Sequence, residues 1–175
     1  MRLIIPVRFV VFLIVVSCSS TAIKQEVHES HIEIINGKRM LIGEFTKEEL
    51  LSELSVFKTL YDQYQPSQNA IDFLKTISND LTIELYLGTW CPDSKRDVPP
   101  FLKILSTADN SRIHCNLHGV DRSKKDKNGE TVKLGINRVP TMIFYINGQE
   151  MGRIVESPYH DTLEEDIVDI LSKQR

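Results

Sequence analysis

The sequence predicts an α/β fold: a mixed β-sheet flanked by helices on both faces, with an N-terminal β-hairpin and an extra helix. Three observations predict it. Asn36-Gly37 and Asn147-Gly148 each separate two β-like apolar runs, the strongest short-range hairpin signal. Between the two hairpins, the runs 81–87 and 112–120 flank a helical stretch that opens at Pro92, a β-α-β unit. Thr46 with Glu49, and Thr162 with Glu165, have the spacing of capping boxes and mark two helix starts. A β-α-β unit followed by a hairpin and a last helix calls for a sheet covered on both sides. The 175 residues, 41% of them apolar, suffice for one such core.

The chain opens with a run from Leu3 to Val16 that only Pro6 and Arg8 interrupt. Its unbroken part, Phe9 to Val16, is too short to span a bilayer and suits the apolar region of a signal peptide. It ends in Val15-Val16-Ser17-Cys18-Ser19-Ser20, which resembles a bacterial lipobox. The resemblance implies removal of residues 1–17 and lipidation of Cys18. Ser19 after that cysteine favours the outer membrane, facing the periplasm. An ordinary secretory signal, or an uncleaved anchor, with an incidental Cys18 is the alternative. Residues 18–30 are polar and aperiodic and read as a tether.

Residues 31–66 form an N-terminal extension. Its hairpin pairs 31–35 with 39–43. A helix over 47–64 follows, with Leu50, Leu51, Leu54, Phe57, Leu60, Tyr61 and Tyr64 at helical spacing and Pro66 as its stop. The main domain, 67–175, begins with a helix capped by Ser67 that carries Ala70, Ile71, Leu74 and Ile77 and ends near Asn79-Asp80. The helix from Pro92 is expected to kink at Pro99-Pro100 and resume through Phe101, Leu102, Ile104 and Leu105. Residues 121–130 read as a charged, solvated loop, with a helical turn at 131–135. The second hairpin has a four-residue connection, Asn147 to Glu150, and Leu163, Ile167, Ile170 and Leu171 give the last helix its buried face.

The formal charge of −3, which becomes −5 once Arg2 and Arg8 leave with residues 1–17, argues against a nucleic-acid partner. His114, Cys115 and His118 are too irregular for a metal site, because strand alternation sends the histidines to the face opposite the cysteine. No metal and no cofactor is expected.

Chemistry concentrates at Trp90-Cys91-Pro92-Asp93-Ser94. Gly88 stops a strand and Pro92 opens a helix, so Cys91 sits at a helix N-terminus, where backbone N–H groups and the dipole favour a reactive thiolate. This stretch resembles the thioredoxin-superfamily site Trp-Cys-x-x-Cys with its last cysteine replaced by Ser94. Pro99, eight residues after Cys91, matches the family's helix proline, and Val139-Pro140-Thr141 matches its cis-proline signature. Asn147-Gly148 sits where the family turns its last hairpin. The string Gly88 to Ser94 with Val98-Pro99 looks most like bacterial envelope thioredoxin-like proteins.

The resemblance covers about Ala70 to Leu171 and implies roles. Cys91 would be the nucleophile in thiol–disulfide exchange. Trp90 would be a flat wall beside the sulfur, or a half-buried core aromatic. Ser94 would donate a hydrogen bond to the Cys91 thiolate without being able to resolve a mixed disulfide. Val139, Pro140 and Thr141 would bind an extended substrate; Pro140 is otherwise an ordinary trans proline. Asp93 opposes thiolate formation, and Lys95 and Arg96 either offset it or are surface charge. Glu156, at the family's small glycine, is a substrate contact or a surface residue.

Three matches fail. Leu85 occupies the position of the family's buried acid, with Glu84 on the other face, and Leu117 lies near the place of the buried lysine. Cys115 lies too far down its strand to pair with Cys91 and reads as a buried, inert thiol. The expected partners are therefore protein or small-molecule disulfides and thiols, together with the membrane through Cys18. A binding module of the same fold, or a structural lipoprotein, is the alternative.

Overall fold

The structure is a computed structural model that describes residues 31–35, 37–126 and 128–173. The expected signal peptide, Cys18 and tether lie outside the described residues. The elements are β1 (His31–Ile35), β2 (Lys38–Phe45), α1 (Lys47–Glu53), α2 (Ser55–Gln63), α3 (Gln68–Lys75), β3 (Leu81–Leu87), α4 (Pro92–Ala108), β4 (Ile113–Gly119), α5 (Glu130–Lys133), β5 (Thr141–Ile146), β6 (Gln149–Val155) and α6 (Leu163–Ser172). Six strands form one mixed sheet in the order β1-β2-β4-β3-β5-β6, with β3 parallel to β4 and every other pair antiparallel. The N-terminal hairpin joins this sheet, because Gly43, Glu44 and Phe45 pair with Gly119, His118 and Leu117. That junction is tight: a Cβ on Gly119 would stand 2.1 Å from the Leu41 carbonyl oxygen.

Alternation along β3 divides the core. Leu81, Ile83, Leu85 and Leu87 are fully buried on one face, with Met142, Phe144 and Ile146 of β5. Against them pack Leu50 of α1, Phe57 of α2, Ile71 and Leu74 of α3, Phe101 and Ile104 of α4, and Ile167 and Leu171 of α6. The other face holds a smaller cluster of Tyr86, Cys91, Val120, Ile136, Val139 and Ile143. Helices thus flank both faces, but five lie on one and only the single-turn α5, with its loops, on the other. Among the described residues no helix is long and apolar enough to cross a membrane.

Both capping boxes form: Thr46 Oγ1 and Thr162 Oγ1 each accept the N–H three residues on, and Glu49 and Glu165 return the bond. The single helix expected over 47–64 is two. Leu54 is extended (φ −126°, ψ 94°) between α1 and α2, while Leu50 and Phe57 are fully buried on either side. A one-residue break leaves the apolar spacing intact, so periodicity does not register it. The helix α3 ends at Lys75, short of Asn79-Asp80, because Asn110 Nδ2 donates to the Leu74 and Ile77 carbonyls, both at 2.9 Å. Ser67 is its N-cap residue but makes no side-chain capping bond.

The helix α4 runs as one element through Pro99 and Pro100. The last hairpin turns on two residues, Asn147 (φ 52°) and Gly148 (φ 78°), rather than four. Gln149 and Glu150 already pair with Ile146 and Tyr145; their polarity on an edge strand hides them from a hydrophobic pattern.

Asp126 is more than a solvated loop charge. Its carboxylate accepts from the Glu130 and Thr131 N–H groups and the Thr131 hydroxyl, which ties down the start of α5. Burial raises its pKa, but these hydrogen bonds outweigh that and hold it down at about 2, from 3.8. A depressed folded-state value means that this contribution to stability is present above pH 3.8 and is lost as pH falls towards about 2. The stability difference between wild type and Asp126→Asn is therefore expected to be flat at neutral pH and to shrink across that window. Urea unfolding at a series of pH values measures it, and a difference that does not change with acid would contradict the assignment.

Candidate functional site

The sequence brings Cys91 to the end of β3 through a short, constrained turn. Gly88 follows Leu87, and a Cβ there would stand 2.7 Å from the Trp90 ring, so the indole folds back only over a glycine. Trp90 Nε1 donates to the Val120 carbonyl oxygen at 3.0 Å, and the Arg122 guanidinium lies 4.9 Å from the ring centre. Trp90 is half-buried and packs against the smaller cluster. Thr89 is buried, and its hydroxyl accepts the Leu41 N–H at 3.3 Å, which fastens the turn to the N-terminal hairpin.

Cys91 is the N-cap residue of α4, with Pro92 in the first turn. It is 7% exposed. Its thiol donates to the Val139 carbonyl oxygen at 3.3 Å and reaches Asp93 Oδ2 at 3.9 Å. The Val139–Pro140 peptide bond is cis. Thr141 is buried and its hydroxyl donates to the Arg138 carbonyl at 2.7 Å. Cys91, Trp90 and the 139–141 segment therefore meet at one end of the sheet.

Ser94 departs from its expected role. Its side chain is fully buried and its hydroxyl oxygen accepts the Gly88 N–H at 3.2 Å, so it braces the turn instead of bonding the cysteine sulfur.

Arg96 is not free surface charge. It donates to Asp93 at 2.8 Å, to both oxygens of Asp97 at 2.8 and 2.7 Å, and to the Glu156 carbonyl at 3.3 Å. These bonds, those to Asp97 foremost, push its pKa further up and keep it charged. Glu156 adopts a left-handed φ of 62°, a conformation that favours glycine. Its N–H donates to the Pro140 carbonyl at 2.7 Å, and its carboxylate pairs with Arg138 at 2.7 Å. Arg96 and Glu156 thus tie the start of α4 to the segment that carries Pro140. Sequence reading missed this clasp, although Asp97 was detectable: it stands in the stripe that Val98, Phe101 and Leu102 continue, where an apolar side chain is due.

Leu85 and Leu117 are register partners on β3 and β4 and both are buried, so no acid or lysine lies in the core layer at these positions. Glu84 faces the other side, where Asn116 and His118 bind its two oxygens at 2.9 and 2.6 Å. Burial raises its pKa, but these bonds prevail and lower it. Cys115 pairs with Ile83 well down the sheet, and both cysteines are free thiols. Cys115 is half-buried rather than fully buried, and desolvation, followed by the charge of Glu84, pushes its thiol up to about 12. Among the described residues no group of three or more His, Cys, Asp or Glu side chains is arranged to hold a metal ion.

No protein-family model and no curated protein matches the chain. Among solved structures, a protein of unknown function from Pseudomonas aeruginosa is similar at 16% identity, over 73% of this chain and 84% of that one, with a TM-score of 0.50. Trxlp from Edwardsiella tarda matches 61% of this chain and 94% of its own at 19% identity, with a TM-score of 0.42. Thioredoxin f2 from Chlamydomonas reinhardtii matches 59% and 87% at 18% identity, with a TM-score of 0.41. At such identities the likeness is one of fold. The β3-α4-β4 unit, the cis proline before β5, the β5–β6 hairpin and α6 make that fold thioredoxin-like.

Removing Arg96 leaves Asp97, whose side chain is 9% exposed, without its partner. Arg96→Ala is expected to lower stability by about 1–3 kcal/mol, the cost of an unsatisfied buried acceptor. Lys95→Ala, on the neighbouring position, is expected to stay within about 0.5 kcal/mol. Urea unfolding of both variants makes the comparison, and equal effects would remove the clasp.

Proposed function

We propose that this protein carries out thioredoxin-like thiol–disulfide exchange in the bacterial cell envelope through the single cysteine Cys91. One observation carries the reading: the Cys91 sulfur lies at the N-cap of α4, 3.3 Å from the carbonyl oxygen that precedes cis Pro140. In the reaction, the Cys91 thiolate attacks one sulfur of an incoming disulfide. A bond from Cys91 to that sulfur forms as the old S–S bond breaks, and the other sulfur departs as a thiolate. Ser94 supplies no second thiol, so a thiol of the substrate, or a small thiol, attacks the mixed disulfide and returns Cys91 as thiolate. An extended substrate would take over the main chain of Val139 and Thr141 by strand addition, displacing the Cys91 thiol from the Val139 oxygen. Trp90 would wall the entry.

The pattern from Val15 to Ser20 supports a lipid anchor on Cys18, a mature chain that starts there, and an outer-membrane location facing the periplasm. A tether of residues 18–30 would let the site reach disulfides in the surrounding space.

A second reading, a binding module with a passive Cys91, draws on the Leu85–Leu117 pair, which leaves no buried acid to move a proton beneath the sulfur. Non-reducing electrophoresis of envelope extract separates the two. Reducible adducts are expected in wild type and in Cys115→Ala and none in Cys91→Ala. Partners captured equally by wild type and Cys91→Ala, with no adduct in either, would reject exchange in favour of binding.

A further inference from the structure

The sheet face opposite the five packed helices carries a cavity of about 600 Å³ on the residues that α5 fails to cover. The cause is the length of α5: four residues roof only part of a floor laid by β3, β4 and β5. On that floor Glu84 is held by His118 and Asn116, and the Tyr86 ring stacks on His118 with centroids 4.6 Å apart. Tyr145 and the α5 residues Glu130 and Lys133 close the sides.

We propose that this cavity binds a small organic cation, an amine or a guanidinium, between the phenols of Tyr86 and Tyr145 and the carboxylates of Glu84 and Glu130. Two independent observations point there. The first is charge. Three carboxylates, Glu44, Glu84 and Glu130, line the cavity beside one lysine, Lys133, and His118, so acidic groups outnumber basic ones. An anion would meet repulsion, whereas a cation gains both the field and the aromatic faces. The second is Tyr86. It is 2% exposed and lines the cavity, yet its hydroxyl makes no hydrogen bond among the described residues. The hydroxyl is not sealed in the interior, so it opens on the cavity, where a ligand can supply its partner.

The surroundings also decide which partner. Burial, then the charges of Glu130 and Glu84, raise the pKa of Tyr86, and burial followed by Glu150 raises that of Tyr145. Both phenols stay neutral, with oxygen lone pairs turned into a negative field, which suits the N–H donors of a cation. Glu84 has both oxygens bound already, so it is fixed in place as a charge. Neither Cys91 nor Pro140 lines the cavity, so this inference stands apart from the exchange reaction.

The test is a titration of the full-length protein with agmatine, which carries both an amine and a guanidinium, followed by amide NMR shifts. Sodium butyrate at equal ionic strength is the control. Saturable shifts at residues 84–86, 118 and 145 are expected with agmatine and not with butyrate. Tyr86→Phe, which keeps the stacked ring, and Glu130→Gln, on the exposed face of α5, are each expected to weaken binding about tenfold, the loss of one hydrogen bond or contact to a charged group. Should Tyr86→Phe not fold, Glu130→Gln decides alone. No saturable shift up to about 10 mM agmatine, equal shifts with butyrate, or wild-type affinity in the folded variants would overturn the proposal.

Discussion

β3 is hydrogen-bonded to a parallel strand on one side and an antiparallel strand on the other, and the candidate site depends on that pairing. The parallel partner β4 obliges the chain to leave the C-terminal end of β3 and return through a crossover, so α4 begins there and Cys91 becomes its N-cap. The antiparallel partner β5 begins at the same end, with Thr141 opposite Tyr86. Cys91 and Val139, 48 positions apart in the chain, are therefore brought into a 3.3 Å contact.

The charges around the cysteine are spent on holding this geometry. Arg96 joins Asp93 and Asp97 to the Glu156 carbonyl, and Glu156 holds both the Pro140 carbonyl and Arg138. Asp97 in the buried stripe of α4 costs desolvation, which the two-pronged guanidinium contact offsets. Beneath the site, where Leu85 and Leu117 pair, the layer is purely apolar. The outcome is a well-positioned thiol over a core that holds no acid at that level.

The two faces of the sheet are unequal for a related reason. Odd-numbered residues of β3 are all leucine or isoleucine and bury themselves against five helices, whereas Thr82 and Glu84 on the even face cannot support an apolar layer. Only the cluster around Tyr86, next to Cys91, is sealed there. Beyond it the polar residues of β3 and β4 line an open cavity under the short α5.

Much of this is legible in the chain. Both Asn-Gly hairpins, both capping boxes, the β-α-β unit and the alternation that parts Glu84 from Leu85 are local features, written in neighbouring residues. So is the likeness that links Cys91 to Pro140. The break at Leu54, the early end of α3 under Asn110, and the two-residue second hairpin are set by partners distant in sequence or by polar edge residues, so no local pattern records them. The same holds at the site. Ser94 turns to the Gly88 amide, Arg96 joins α4 to the segment after β6, and Tyr86 keeps a hydroxyl without a partner among the described residues, because folding brings those groups together or apart. Spacing along a chain specifies which residue types can meet, but a hydrogen bond forms only where the packed backbone leaves its two ends about 3 Å apart.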